Sequence, residues 1–204
     1  MMFKSLAFGA MAAALILALG STTAAAQGTD EDDIYALSYY SNAHVTGAPD
    51  GVLRLVNDGT VSDASPAGDL CASIYVFDSQ EELAECCSCK ITPNGILSLS
   101  VNNNLTKNTL TGITPPRGVI KDVSSLPDER SRKCDPTTFN EQEGIRGWIT
   151  HPQKGTGTGF GLTEEELMDS FLSTAEANDL AEDCKVLVEL GSGHGICSCA
   201  DSHQ

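Results

Sequence analysis

Basic residues are scarce in this 204-residue chain: 12 Lys and Arg stand against 28 Asp and Glu, a formal net charge of −16. So acidic a chain repels phosphate backbones and anionic headgroups, which argues against a nucleic-acid binder or a charge-driven membrane binder. Aromatics are few, at 5%. No Gly-x-Ser-x-Gly elbow occurs, and Gly191-Ser192-Gly193 lacks its spacing. The one Cys-x-x-Cys spacing, Cys86 to Cys89, has a third cysteine inside it and no second such pair beside it, so it is weak evidence for a zinc site or a thioredoxin-type dithiol. Gly157, Gly159 and Gly161 alternate without the Gly-x-Gly-x-x-Gly spacing of a dinucleotide site. No EF-hand loop is present, and Asp50, Asp58, Asp63 and Asp69 read as solvated turn acids.

Long apolar runs are absent except at the start. Lys4, the apolar stretch 6–19 and Ala24-Ala25-Ala26 make a Sec-type signal peptide over residues 1–26. No Cys follows that stretch closely enough to suggest a lipoprotein anchor. Cleavage removes Lys4 and no acid, so the mature chain is more acidic still. The expected compartment is secreted or periplasmic, with no membrane association after cleavage. Residues 27–43 read as an acidic N-terminal extension, and 44–204 as a single β-rich domain.

What the chain does hold in quantity is cysteine. Cys71, Cys86, Cys87, Cys89, Cys134, Cys184, Cys197 and Cys199 all lie beyond the signal peptide. An even number in an exported chain points to disulfides. Eight cysteines admit on the order of a hundred complete pairings, so connectivity stays open. On a strand Cys87 and Cys89 face one way and Cys86 the other. Neighbouring cysteines rarely meet disulfide geometry, so the cluster should reach three different partners. Cys71 is one candidate, because 71–77 and 85–91 should pair as a hairpin.

Strand signals recur from about residue 43 to 150. The segments 52–56, 72–77, 85–91, 96–101, 118–123 and 145–149 are rich in strand formers and separated by turn residues. In 96–101, Leu97, Leu99 and Val101 alternate with Ser98 and Ser100, the pattern of a half-buried strand. Thr92-Pro93-Asn94-Gly95 is a strong turn. Residues 34–40 could form a strand that stays in its own sheet or adds to a neighbour's. Residues 155–161 read as a flexible glycine loop. Farther on, Ser173-Thr174-Ala175-Glu176 is a capping-box pattern. Ala177, Leu180, Ala181, Cys184, Leu187 and Val188 then form one helical stripe. The expected fold is mainly β: an antiparallel β-sandwich-like domain stapled by disulfides, with one C-terminal α-helix at about 174–190 packed on it. Cys184 on the stripe would tie helix to sheet.

Other chemistry has thinner support. His194, Cys197 and Cys199 could ligate Zn or Cu, but their spacing suits few single-metal sites and oxidation competes for each thiol. His44, His151, His194 and His203 are the only imidazoles available to a hydrolase. Glu164-Glu165-Glu166 reads as a solvated face. Asn104-Leu105-Thr106 matches a glycosylation sequon. No cofactor is expected. Tyr35, Tyr39, Tyr40 and Trp148 are the aromatics a sugar site could expose.

The stretch Cys71-Ala-Ser-Ile-Tyr-Val-Phe-Asp78, followed by Cys86-Cys-Ser-Cys89, Thr92-Pro-Asn-Gly95 and Leu99-Ser-Val-Asn102, resembles a group of secreted, Cys-rich bacterial proteins with no assigned activity. Their C-terminal Gly-Ser-Gly-x-Gly-Ile-Cys is similar to residues 191–197. The resemblance implies export and carries no catalytic residue. Together these readings lead to the expectation of a non-enzymatic, exported protein with a structural or adhesive role. A carbohydrate- or surface-ligand-binding module, capable of self-assembly or of binding an extracellular partner, is the alternative. A metal protein or hydrolase ranks below both.

Overall fold

Alternation of apolar and polar residues lays down two antiparallel sheets that face each other. A computed structural model describes residues 34–61 and 68–199 of the chain. The expected signal peptide at 1–26, residues 27–33, Asp63 and His203 lie outside the described residues. The first sheet contains β1 Tyr35–Tyr40, β3 Leu70–Asp78, β4 Leu83–Ile91, β6 Gly118–Leu126, β7 Asn140–Glu141 and β10 Met168–Asp169. Its order is β10-β1-β6-β3-β4, with β7 added to β6. The second sheet contains β2 Val52–Asn57, β5 Ile96–Ser100, β8 Ile145–Lys154 and β9 Phe160–Glu166, in the order β5-β2-β8-β9.

The facing sides bury one core. Ala72, Ile74, Val76 and Ile120 from the first sheet meet Leu53, Leu55, Leu97, Leu99 and Ile149 from the second. Leu97, Leu99 and Val101 are all buried, as their alternation with serine required. Gly147 has no room for a side chain, because a Cβ there would run into Leu167 and Leu55. Burial of this apolar area is the main stabilising term of the sandwich.

The outer side of the first sheet carries the helix α1, Thr174–Leu190. Ser173 caps it by accepting a hydrogen bond from the Glu176 N–H at 3.1 Å. Glu176 does not close the capping box; its carboxylate instead accepts from Tyr35 Oη at 3.1 Å and Lys121 Nζ at 2.5 Å. Leu180, Cys184 and Leu187 pack on Tyr35, Tyr75, Cys86 and Val123. The buried stripe is narrower than the sequence suggested, since Val188 is 48% exposed. The mainly β sandwich with one C-terminal helix is thus the fold of the chain.

Two boundaries differ from the sequence reading. Residues 35–40 lie inside the domain and not in an N-terminal extension: β1 pairs along its whole length with β6 and also with β10. It completes its own sheet, because Tyr35 and Tyr40 are buried in the two cores of this same chain. The glycine loop is also shorter than 155–161. Residues 160–166 are the edge strand β9, joined to β8 by a turn closed by the Gly155 N–H on Gly159 O at 3.0 Å.

Candidate functional site

Strand β4 is where the cysteine chemistry converges. Its alternation sends Cys86 outward under the helix and Cys87 and Cys89 inward to the sandwich core. Cys86 bonds Cys184 on α1, Cys87 bonds Cys197, and Cys89 bonds Cys199, with Cα–Cα separations of 5.8, 5.2 and 5.6 Å. These spans suit unforced disulfides. The cluster does reach three partners, and Cys184 does tie helix to sheet. Cys71 is not among those partners. The hairpin of β3 and β4 forms, but Cys71 stands opposite Lys90, and its sulfur bonds Cys134 in the loop between β6 and β7. No described cysteine is free.

The C-terminal strap reaches β4 through a tight reversal. Gly191 caps α1, and Gly193 and Gly195 then take φ of +96° and +77°, a region glycine enters at little steric cost. The Cys86 N–H donates to Gly195 O at 2.9 Å and the Cys197 N–H to Cys86 O at 3.2 Å. Ile196 thereby bridges Cys86 in parallel. Cys197-Ser198-Cys199 is laid beside Cys87-Ser88-Cys89, and both disulfides span 110 residues. The Sγ atoms of Cys87 and Cys89 are 4.0 Å apart, and with that of Cys199 they lie within 4.8 Å of one another.

His194 does not join this sulfur cluster. It sits exposed in the reversal and its N–H donates to Gly191 O at 2.6 Å. While the disulfides are closed, Cys197 and Cys199 present no thiolate, so the three residues do not form a ligand set. His44 is also exposed, with Nε2 2.8 Å from Thr106 Oγ1. His151 is buried, stacks on Tyr39 with centroids 4.0 Å apart, and lies 3.8 Å from Glu165. Burial lowers its pKa, while Glu165 partly opposes that shift. The three described histidines are therefore spread over separate places in the fold.

Sequence periodicity gave no sign of the buried acids. Glu85 and Asp122 both point between the sheets. Glu85 Oε1 accepts from the Asn108 N–H at 2.8 Å, while Oε2 and Asp122 Oδ1 have no hydrogen-bond partner among the described residues. Burial pushes Glu85 up to about 7, against the pull of the Asn108 N–H, and Asp122 up to about 8. Asn108 also holds the strap, accepting from the Gly195 N–H and donating from its side chain to Gly193 O.

Among the described residues, no helix packs on the outward side of the second sheet. A row of cross-strand neighbours runs Ser98, Arg54, Trp148, Glu166. Arg54 donates to Glu164 at 2.5 Å, and Trp148 is half-buried among these polar side chains. Glu164, Glu165 and Glu166 are exposed on the edge strand β9, where charge discourages edge-to-edge pairing. Of the tyrosines, Tyr35 and Tyr40 are buried and Tyr39 is engaged with His151, so no row of coplanar exposed rings forms. Asn104 of the sequon is buried, and its Oδ1 accepts from the Ser100 N–H at 2.8 Å. No described helix is long and apolar enough to cross a membrane. No protein-family model matches this chain, and no match was found among curated proteins or solved structures.

Proposed function

We propose that this is an exported, disulfide-stabilised, non-enzymatic protein with an extracellular structural or adhesive role. The observation that carries the reading is the pairing of every cysteine, three of the four disulfides converging on one strand. Such staples persist in oxidising compartments and restrict the unfolded chain. High negative charge keeps the exported protein soluble. The resemblance of residues 71–102 and 191–197 to secreted bacterial proteins fits the same role. Expression with the native leader tests it, by intact mass of the exported fraction before and after reduction. The reading expects a chain starting at Gln27 that gains ~8 Da on reduction, ~2 Da per disulfide. A retained leader or alkylatable thiols in the unreduced protein would count against it.

A second reading rests on the face around Trp148, which no described helix covers. An amphipathic ring between Arg54 and Glu166 suits the flat apolar side of a sugar while the charged neighbours take its hydroxyls. The chain has a single Trp, so its fluorescence reports this face alone. Titration with soluble polysaccharides should shift the emission, and Trp148→Ala should lose retention on the same polysaccharide. Unchanged emission across neutral and acidic glycans would remove the binding module from consideration.

A further inference from the structure

Chain entropy accounts for only one of the two disulfides that hold the strap. Once Cys87–Cys197 is closed, Cys89–Cys199 joins the same two segments two residues farther on. The loop it closes is then only a few residues long, and the entropy it removes from the unfolded chain is small. What the second disulfide does create is a cluster of four sulfurs. Three of the Sγ atoms fall within 4.8 Å of one another, and the fourth, of Cys197, is bonded to Cys87.

We propose that Cys87, Cys89, Cys197 and Cys199 form a convertible four-sulfur site: two disulfides when oxidised, a tetrathiolate site for one Zn²⁺ when reduced. At a Zn–S distance of ~2.3 Å, tetrahedral sulfurs lie about 3.8 Å apart. The Cys87 and Cys89 sulfurs are already 4.0 Å apart. Opening each S–S bond frees the side chains to rotate, and the Cys197 sulfur, outside the three that lie within 4.8 Å of one another, has to swing in to complete the set. The backbone has independent reasons to stay: β4 is paired along its length with β3, and the strap keeps its hydrogen bonds to Cys86 and Asn104. The buried Cys86–Cys184 bridge anchors the end of α1, from which the strap departs. Two identical Cys-Ser-Cys segments in parallel register thus present four ligands from two anchored backbones.

Access is graded. Cys87, Cys89 and Cys197 are buried and Cys199 is partly exposed. An external dithiol attacks Cys89–Cys199 first, passing through a mixed disulfide. Its second thiol resolves that intermediate, leaving two cysteine thiols and one oxidised dithiol. A second dithiol does the same at Cys87–Cys197. Four electrons have then entered and two dithiols have become disulfides. Binding of Zn²⁺ displaces four protons and leaves a site of net charge −2. All-thiolate ligation selects a soft or borderline ion over Mg²⁺ or Ca²⁺.

The test uses the full mature protein, reduced by a dithiol under native conditions and titrated anaerobically with Co²⁺ and then Zn²⁺. The expected result is one Co²⁺ per chain with the intense sulfur-to-metal charge transfer and visible bands of a tetrahedral thiolate site, displaced by Zn²⁺. The oxidised protein should take up none. Cys89→Ser/Cys199→Ser keeps the Cys87–Cys197 staple and should lose the tetrathiolate spectrum. Cys71→Ser/Cys134→Ser should retain it. A reduced wild-type protein that binds no Co²⁺, or a tetrathiolate spectrum that survives in Cys89→Ser/Cys199→Ser, overturns the proposal. Circular dichroism of both variants separates loss of ligands from loss of fold. The outcome is separate from that of the export experiment, which is read on the oxidised protein.

Discussion

Replacing Cys86 and Cys184 together by alanine should lower the unfolding free energy by ~3 kcal/mol, whereas replacing Cys89 and Cys199 should cost at most ~1 kcal/mol. The two disulfides span similar lengths of sequence, 98 and 110 residues. The difference lies in what the remaining staples already constrain. With Cys87–Cys197 closed, Cys184 is tethered to Cys86 through a path of about 15 residues, and a loop of that length corresponds to ~3 kcal/mol in the chain-entropy model. Cys89–Cys199 closes almost no additional loop. Cys86 and Cys184 are also wholly buried between α1 and the sheet, so the Ala pair leaves a small cavity as well. Urea denaturation of the oxidised variants measures both costs. Equal losses for the two pairs would show that native packing, and not the topology of the staples, sets their worth.

Stability should fall as pH rises from about 4 to about 8, and Asp122→Asn should flatten most of that fall. Asp122 ordinarily titrates at 3.8 and does so at about 8 in the fold; Glu85 moves from 4.5 to about 7. Between those limits the folded chain binds protons that the unfolded chain has lost. Stability therefore decreases with pH through the interval, at up to ~1.4 kcal/mol per pH unit for each full proton of difference. Asp183, raised by burial and by the neighbouring Asp179, Glu182 and Glu176, acts in the same sense. His151 acts the other way: its lowered pKa makes the unfolded chain the better proton binder below about 6.5, so its contribution grows as pH rises to that value. His151 therefore offsets part of the decline below about 6.5, and above that value the decline is unopposed, carried by Glu85 to about 7 and by Asp122 to about 8. Asparagine keeps the volume of Asp122 and cannot ionise, so the variant's stability relative to the wild type should rise steadily from about pH 4, where the unfolded Asp122 begins to lose its proton, up to pH 8. Thermal midpoints across this range provide the measurement. Parallel curves for wild type and Asp122→Asn would contradict the buried, protonated state of Asp122.

Legibility in the sequence followed how strongly one face of each element was marked. The helix was readable because a cap residue and a 3.6-residue stripe coincide at Ser173 and Leu180-Cys184-Leu187. β5 was readable because serine and leucine alternate strictly. β9 was not: all but Phe160 of its residues are exposed, so Gly161 to Glu166 carry no buried face to betray a strand. β1 reads as only a possible strand because neither of its faces is cleanly polar, and the reason is that both are covered: Tyr35 and Tyr40 each fill a different core. For the candidate site, the alternation of β4 foretold that Cys86 would diverge from Cys87 and Cys89. It could not foretell the partner of Cys71, which depends on where the loop carrying Cys134 folds back. Nor could it separate Asp122, buried between Ile120 and Ser124, from a solvated acid of the same strand. A charge within a strand has the same periodicity whichever side is covered. Parallel register between two Cys-Ser-Cys segments is likewise a tertiary fact, visible only once the strap is laid on β4.

The central claim is that β4 is the strand on which helix and C-terminal strap are covalently fastened. A disulfide map of the unreduced protein by proteolysis and mass spectrometry, performed at acid pH to suppress exchange, tests it most directly. The account predicts linked pairs Cys71–Cys134, Cys86–Cys184, Cys87–Cys197 and Cys89–Cys199 and no alkylated cysteine. Cys71 bonded to the Cys86–Cys89 cluster, bridges closed within Cys87–Cys89 and Cys197–Cys199, or thiols free in the exported protein would contradict it.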